Sequence, residues 1–234
     1  MVDSMIQTLK GGLIVSCQAL EEEPFYGSDY MARFALAAEM GKAVGIRANT
    51  PQDIRAIKKV TNLPIIGLWK KEYTGSDVYI TPTLTEVEGI IAAGADIVAT
   101  DATLRNRPDN VCLADLVKEI REKHQVLLMA DVSSLAEGVE AEKLGFDLIS
   151  TTLSGYTAYS PQSEEPDIQL VADLSQMVSI PVLAEGRIHS PEQTVACLRA
   201  GAYAVVIGGA ITRPQLITKK YTDAILQYHN VPEM

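Results

Sequence analysis

Short, almost wholly apolar runs alternate along this chain with longer stretches whose apolar residues recur every three or four positions. The runs cover residues 12–17, 43–48, 63–70, 96–101, 125–132, 147–152, 180–186 and 202–209. They are rich in Val, Ile and Leu and show little in–out alternation, the pattern of parallel strands covered on both faces. The stretches between them read as helices. In residues 113–123, Leu113, Leu116, Val117 and Ile120 fall on one side, the stripe of a helix lying on a sheet.

The punctuation agrees. Ala93-Gly94-Ala95, Leu144-Gly145 and Ala200-Gly201-Ala202 are small-residue stops just before the next run, with glycine free to take a left-handed helix end. Thr50-Pro51 and Ser190-Pro191 place a capping residue before a proline at a helix start. No Ser/Gly-rich linker, low-complexity tract or compositional break divides the chain. Strict alternation of strand and helix predicts an α/β protein with a parallel sheet. About eight such units in 234 residues predict closure into a (β/α)8 TIM barrel, which typically takes about 250 residues. Residues 1–234 would then be a single domain. The longest stretches without an assigned element, 18–27 and 153–166, follow the first and sixth strands. In barrels the C-terminal ends of strands carry the active site, so these loops are functional candidates.

Charge narrows the partners. With 30 Asp and Glu against 20 Lys and Arg, the net charge is −10. Such a surface repels nucleic-acid phosphates and anionic lipid heads, so neither nucleic acid nor membrane is an expected partner. An anionic ligand would need a positive field built locally from a few groups. No apolar run approaches the ~18 residues of a membrane span, and residues 1–10 lack an apolar signal core. Cys17, Cys112 and Cys197 form no CxxC pair and are expected as buried free thiols in a reducing compartment. His124, His189 and His229 are spread along the chain and make no metal cluster. A cytoplasmic protein without a metal site is expected.

The informative polar residues stand where the apolar runs end: Gln18, Arg47, Lys70, Asp101, Asp131, Thr152 and Glu185, then the Gly208-Gly209 pair. A closed barrel brings these ends to one mouth, where charges are costly unless paired or liganded. A lysine partly removed from water has a lowered pKa and can take a proton at neutral pH, which makes Lys70 a candidate base. Lys71 would point the other way and is read as solvated or structural. Glu185 is a candidate acid or base, or a structural partner of Lys70 or Arg47. Asp131 is placed to orient the lysine or bind hydroxyls, whereas Asp101 has Arg105 and Arg107 nearby as ordinary ion-pair partners. Gly208-Gly209 after the last strand, with Gly186 after the one before and Arg213 close by, suits a phosphate. Small residues let backbone N–H groups approach an anion, and TIM barrels repeatedly bind phosphate after strands seven and eight. Tyr156 and Tyr159 lie in a loop able to cover a ligand. No GxGxxG follows the first strand, so no nucleotide site is expected.

Several segments together resemble the bacterial N-acetylmannosamine-6-phosphate 2-epimerases. They are Gly12-Leu13-Ile14-Val15-Ser16-Cys17-Gln18-Ala19-Leu20, Ala43-Val44-Gly45-Ile46-Arg47-Ala48-Asn49, Pro64-Ile65-Ile66-Gly67, Met129-Ala130-Asp131, Thr151-Thr152-Leu153-Ser154-Gly155-Tyr156-Thr157 and Ala184-Glu185-Gly186-Arg187-Ile188. Val206-Ile207-Gly208-Gly209-Ala210-Ile211-Thr212-Arg213-Pro214 completes the set, so the likeness spans almost the whole chain. The resemblance implies a ribulose-phosphate-binding type of TIM barrel without metal or organic cofactor. It implies inversion at C2 of a phosphorylated N-acetyl amino sugar, in N-acetylmannosamine and sialic-acid breakdown. It further implies that Lys70 moves the C2 proton with Glu185 as acid/base partner. Gln18, Arg47, Asp131 and Arg213 would bind substrate polar groups, Arg213 near the phosphate. Trp69 stands where the family leads one to expect a smaller aliphatic residue. The site residues alone also admit another sugar-phosphate isomerase or lyase, or a phosphosugar-sensing barrel that touches RNA; the net charge disfavours the last. A homodimer is expected because two-fold homo-oligomers are the commonest kind.

Overall fold

The computed structural model describes residues 2–230. Its eight strands are β1 (Leu13–Cys17), β2 (Gly45–Asn49), β3 (Ile65–Leu68), β4 (Ile97–Asp101), β5 (Leu127–Asp131), β6 (Leu148–Ser150), β7 (Val182–Glu185) and β8 (Ala204–Ile207). They pair in parallel in sequence order and close through β8 on β1, where Ile14 faces Val206. This is a TIM barrel, and each apolar run supplies one strand. The strands are shorter than the runs because run ends splay into the loops; the run 63–70 pairs only through Ile65–Leu68.

The intervening helices are α2 (Ser28–Met40), α3 (Pro51–Lys58), α4 (Leu84–Ala93), α5 (Leu113–Lys123), α6 (Leu135–Leu144), α7 (Ile168–Met177) and α8 (Pro191–Arg199). A short α9 (Gly209–Thr212) and a long α10 (Pro214–Asn230) follow the last strand. The expected stripe on α5 is buried at Leu116, Val117 and Ile120, with Leu113 packed beside it. Thr50 and Ser190 cap α3 and α8 through their hydroxyls, and Gly94 and Gly145 end α4 and α6 at φ of 100° and 90°.

Alternation along the strands divides the apolar residues into two shells. Ile14, Ile66, Leu68, Met129, Leu148 and Leu183 fill the barrel interior. Val15, Ile46, Ile65, Val98, Leu128 and Ile149 face outward, against the helices. Residues 1–10, to which the sequence pattern assigned no element, include helix α1 (Val2–Leu9). Its Leu9 is fully buried among the interior residues, with Met5 and Ile6 packed beside it, so α1 plugs the end of the barrel opposite the mouth.

Two expectations need correction. Cys17 and Cys197 are buried, but Cys112 is exposed. It caps α5, its thiol accepting from the Asp115 amide, and a chain terminus of a surface helix leaves such a group in solvent. The loop between β3 and α4, residues 69–83, is longer than the stretch 18–27 that the sequence pattern puts among the longest. Its bridges Lys70–Ile80 and Tyr73–Ser76 fold it back over the barrel mouth.

Trp69 turns outward onto α4. A Cβ on Gly89 would lie 2.7 Å from the indole, so this glycine makes room for the ring. Gly89→Ala is expected to destabilise the protein by about 1–2 kcal/mol through overpacking, despite the better helix propensity of alanine. In a Trp69→Leu background the same change should become neutral or stabilising. Denaturant unfolding of the four proteins measures the coupling.

Candidate active site

The strand ends converge as the sequence suggested. A cavity of about 220 Å³ at the C-terminal mouth is lined by Gln18, Arg47, Lys70, Thr152, Glu185, Gly186, Gly208, Gly209 and Arg213. Asp131 does not reach it. Its carboxylate is fully buried beneath the floor and acts on the cavity through Arg47 and Thr152. Asp101 is likewise buried and pairs with Arg105 at 2.6 Å, the bland role its neighbours suggested. Lys71 turns away and pairs with Glu86 at 3.3 Å.

The floor is an ion cluster. Arg47, 1% exposed, donates from Nη1 to Glu185 and from Nη2 to Asp131. Nη1 also donates to Thr152 Oγ1 at 2.8 Å, which lies 2.7 Å from Asp131 Oδ1 and 3.0 Å from Glu185 Oε2. Glu185 is aimed by its own backbone: its N–H donates to Thr151 Oγ1 at 3.0 Å, and that hydroxyl donates to its carbonyl at 2.9 Å. Burial lifts the Asp131 carboxyl to about 6, against the pull of Arg47 and with the push of Glu185. The Arg47 guanidinium stays charged because the two carboxylates outweigh its own burial.

Lys70 stands over this floor. Its backbone N–H donates to Asn49 Oδ1 at 2.9 Å, tying the end of β3 to that of β2. Burial brings its ammonium down to about 8, and the positive charge of Arg47 pushes the same way. Such a lysine is neutral in a useful fraction of molecules near physiological pH and can accept a proton.

At the opposite side of the cavity, β7 and β8 end in open backbone. Gly186 has φ of 111°, a conformation that excludes most side chains, and Gly208 abuts Ser16, 3.3 Å from where a Cβ would sit. Thr50, Thr81 and Arg187, all at the mouth, hold φ of 67°, 46° and 56°. Lys42, Asp109 and Asn110 hold the same left-handed backbone away from the cavity, so the conformation is not peculiar to the mouth. Gln18 Oε1 and Arg47 Nε, beside the cavity, are two of the six buried side-chain polar atoms among the described residues that have no hydrogen-bond partner in the protein.

Sequence reasoning passed over Ser16, Tyr79, Ile80 and Arg187, which also line the cavity. Tyr79 and Ile80 arrive on the folded-back β3–α4 loop, and no local pattern marks them. Ser16 carries a signal: it is a lone hydroxyl within an apolar strand, on the same face as Ile14. Tyr156 lines the cavity and stacks on Arg187, whereas Tyr159 donates to Glu137 on α6. Among the described residues no group of His, Cys, Asp and Glu is arranged to hold a metal ion, and no helix is long and apolar enough to cross a membrane.

The profile of the family described as "Putative N-acetylmannosamine-6-phosphate epimerase" matches residues 31–227. The chain belongs to this family. A "Putative N-acetylmannosamine-6-phosphate 2-epimerase" of Caldanaerobacter subterraneus is 55% identical over 230 residues, 97% of each chain. The solved structure of the N-acetylmannosamine-6-phosphate 2-epimerase from Clostridium perfringens superposes with a TM-score of 0.91 at 52% identity, covering 94% of this chain and 96% of that one. A thiamine phosphate pyrophosphorylase from Pyrococcus furiosus, 18% identical with a TM-score of 0.61 over 89% of each chain, shares the fold alone.

Removing Arg47 leaves two carboxylates at the floor without their counter-charge. Arg47→Met is expected to cost about 3–5 kcal/mol of stability at neutral pH. The folded-state carboxyl pKa of Asp131, already about 6, would rise further. A raised carboxyl pKa adds stability at low pH that is lost as pH rises through it. The deficit should therefore shrink on acidification toward about pH 5, and urea unfolding at several pH values tests this. A deficit that does not change with pH would contradict the electrostatic account.

Proposed function

We propose that this chain inverts C2 of N-acetylmannosamine 6-phosphate to give N-acetylglucosamine 6-phosphate, by removal and return of the C2 proton. One observation carries the reading. A half-buried lysine with its pKa brought down to about 8 shares a single cavity with a glycine-lined anion cradle and an arginine. The family and the names of its relatives supply the substrate.

The phosphate lies against Gly186, Gly208 and Gly209, with Arg213 adding charge. The sugar crosses the mouth toward Lys70. Its C2 proton is acidic only when C1 is an aldehyde, so the open-chain form reacts. Neutral Lys70 takes the C2 proton, and the C–H electrons move onto the C1 oxygen. Donors at the floor stabilise the resulting enolate, which carries O⁻ on C1 and the acetamido nitrogen on C2, as its charge develops; Arg47 is the strongest of them and Gln18 and Thr152 hold neighbouring polar groups. Asp131 acts through Arg47, keeping it fixed. Glu185 is assigned as the acid/base partner: its carboxylate takes the anomeric hydroxyl proton as the ring opens and holds it for the opposite face of C2. Return of a proton to that face gives the epimer. The reaction is an isomerisation and belongs to amino-sugar and sialic-acid breakdown in the cytoplasm, carried out by the chain as one domain.

We also propose that the enzyme works as a homodimer. Helix α10 packs chiefly on α9 and exposes Leu216, Tyr221, Ile225, Leu226 and Tyr228, from 46% to 78%. Beside it an apolar groove of about 440 Å³, lined by Leu13, Val195, Ile207, Ala210 and Ile211, lies open on the outer side of β1 and β8. In a closed barrel a helix normally covers that position. A second copy of α10 matches the groove in chemistry, and a two-fold axis would cover both grooves at once.

An NMR time course in D₂O with N-acetylmannosamine 6-phosphate, without added metal or nucleotide, should show conversion with deuterium entering C2. Lys70→Ala should abolish both conversion and exchange. The wild-type kcat/KM should climb as pH rises toward about 8 and then level, because the base must be neutral. No conversion by folded wild type would remove the substrate assignment. For the dimer, sedimentation should give twice the chain mass for wild type and the monomer mass for an Ile225→Asp/Leu226→Asp variant; a monomeric wild type would refute the dimer.

A further inference from the structure

The loop between β1 and α2 carries Glu23, a residue no motif marks. Its side chain is 14% exposed and it lines no part of the cavity. It nevertheless meets Arg213 across 190 residues of sequence. Arg213 Nε donates to Glu23 Oε1, and Nη2 donates to Oε2 at 3.0 Å, a two-pronged pair. Gln215 Nε2 donates to Oε1 at 3.0 Å, and the Leu20 amide donates to Oε2 at 2.8 Å. Each oxygen of the carboxylate thus accepts from two donors. The loop itself closes around it, Glu23 N–H donating to Leu20 carbonyl and Tyr26 N–H to Glu23 carbonyl, each at 3.0 Å. Burial alone would raise the Glu23 carboxyl, but the bonds from Arg213 and Leu20 hold it below the usual range, so it stays charged.

The pair occupies Nε and Nη2 and leaves Nη1. That nitrogen lies 3.7 Å from the point where a Cβ on Gly209 would sit, facing the glycine turn at the cavity edge. We infer that Glu23 is a positioning residue: it fixes Arg213 from behind so that Nη1 is presented to the substrate phosphate at Gly208 and Gly209. The inference rests on the assignment of Arg213 to the phosphate. An arginine loses much rotamer freedom when it is clamped by an anion. Here Glu23 removes that freedom before the ligand arrives, so binding does not have to. It also offsets part of the positive charge of Arg213, so the phosphate is recognised by direction as well as by net charge.

The test compares wild type, Glu23→Ala, Arg213→Ala and the double variant, using KM and kcat for N-acetylmannosamine 6-phosphate and competitive inhibition by inorganic phosphate. Melting temperatures check folding, and Glu23→Gln, which keeps one acceptor, serves as the milder change. Glu23→Ala should raise KM about three- to tenfold, the size expected for ordering one long side chain on binding. The inhibition constant for phosphate should rise in step, with kcat within about twofold, and Glu23→Gln should fall between. In the Arg213→Ala background, Glu23→Ala should add nothing, since it acts only through that arginine. Three results would overturn the proposal: an unchanged KM in Glu23→Ala beside a raised KM in Arg213→Ala; a penalty that persists without Arg213, the mark of a merely structural loop role; or a lowered KM, showing that the carboxylate repels the phosphate. If Arg213→Ala itself changes neither KM nor phosphate inhibition, the phosphate assignment fails and this inference with it, while deuterium exchange at C2 still tests the epimerase reading separately.

Discussion

A guanidinium buried between two carboxylates sets the character of the mouth of this barrel. Arg47 from β2 reaches Asp131 at the end of β5 and Glu185 at the end of β7. Three charges beneath a cavity would be very costly singly, and together they hold one another only with good geometry and saturated hydrogen bonds. Thr152 and Ser150 add hydrogen bonds to the charged groups, Thr151 holds the Glu185 backbone, and Arg47 Nε alone of the guanidinium nitrogens has no partner in the protein. The cluster also links strands from distant parts of the barrel, so the electrostatics of the site and its rigidity have the same source. It acts on Lys70 as well: after burial, the nearby charge of Arg47 does most to lower the lysine's pKa.

The fold makes such a cluster possible by separating tasks along the barrel axis. Below the cluster the interior is filled by aliphatic side chains, closed at the far end by Leu9 of α1. This dry plug supplies the low dielectric in which a lysine and a carboxyl depart from their solution behaviour. Above it the loops do the enclosing. The β3–α4 loop brings Tyr79 and Ile80 over one side, and the β6–α7 loop brings Tyr156 to the other. Arg187 ties that second loop down by donating to the carbonyls of Ser154 and Glu165. Its guanidinium therefore serves the wall rather than the floor.

An acidic protein that binds a phosphate must solve a local problem against its global charge. The net charge of −10 repels the ligand at long range. At short range the cradle proposed for it would rely on backbone at Gly186, Gly208 and Gly209 and on the directed charge of Arg213, all of which line the cavity. Arg213 also marks the corner between α9 and α10, so the phosphate end of the cavity and the exposed helix adjoin one another in the chain.

The sequence by itself determined the barrel and most of the mouth. Runs of buried aliphatics, glycine stops and proline-opened helices are local signals, and alternation of the two periods leaves few architectures. Once the barrel is assumed, polar residues at run ends must meet, which placed Gln18, Arg47, Lys70, Thr152, Glu185 and the glycine turn at one cavity. What the tertiary structure decided was which of these face the ligand and which face each other. Asp131 and Glu185 are both carboxylates at strand ends, yet one is sealed below Arg47 and the other reaches the cavity. Side-chain depth depends on stagger between strands, which no single strand encodes. The roles of Tyr79, Ile80 and α1 depended on chain segments folding back over the ends of the barrel, and the pairing of Glu23 with Arg213 joins opposite ends of the sequence. Contacts of that kind arise only when the ring closes and brings β1 beside β8.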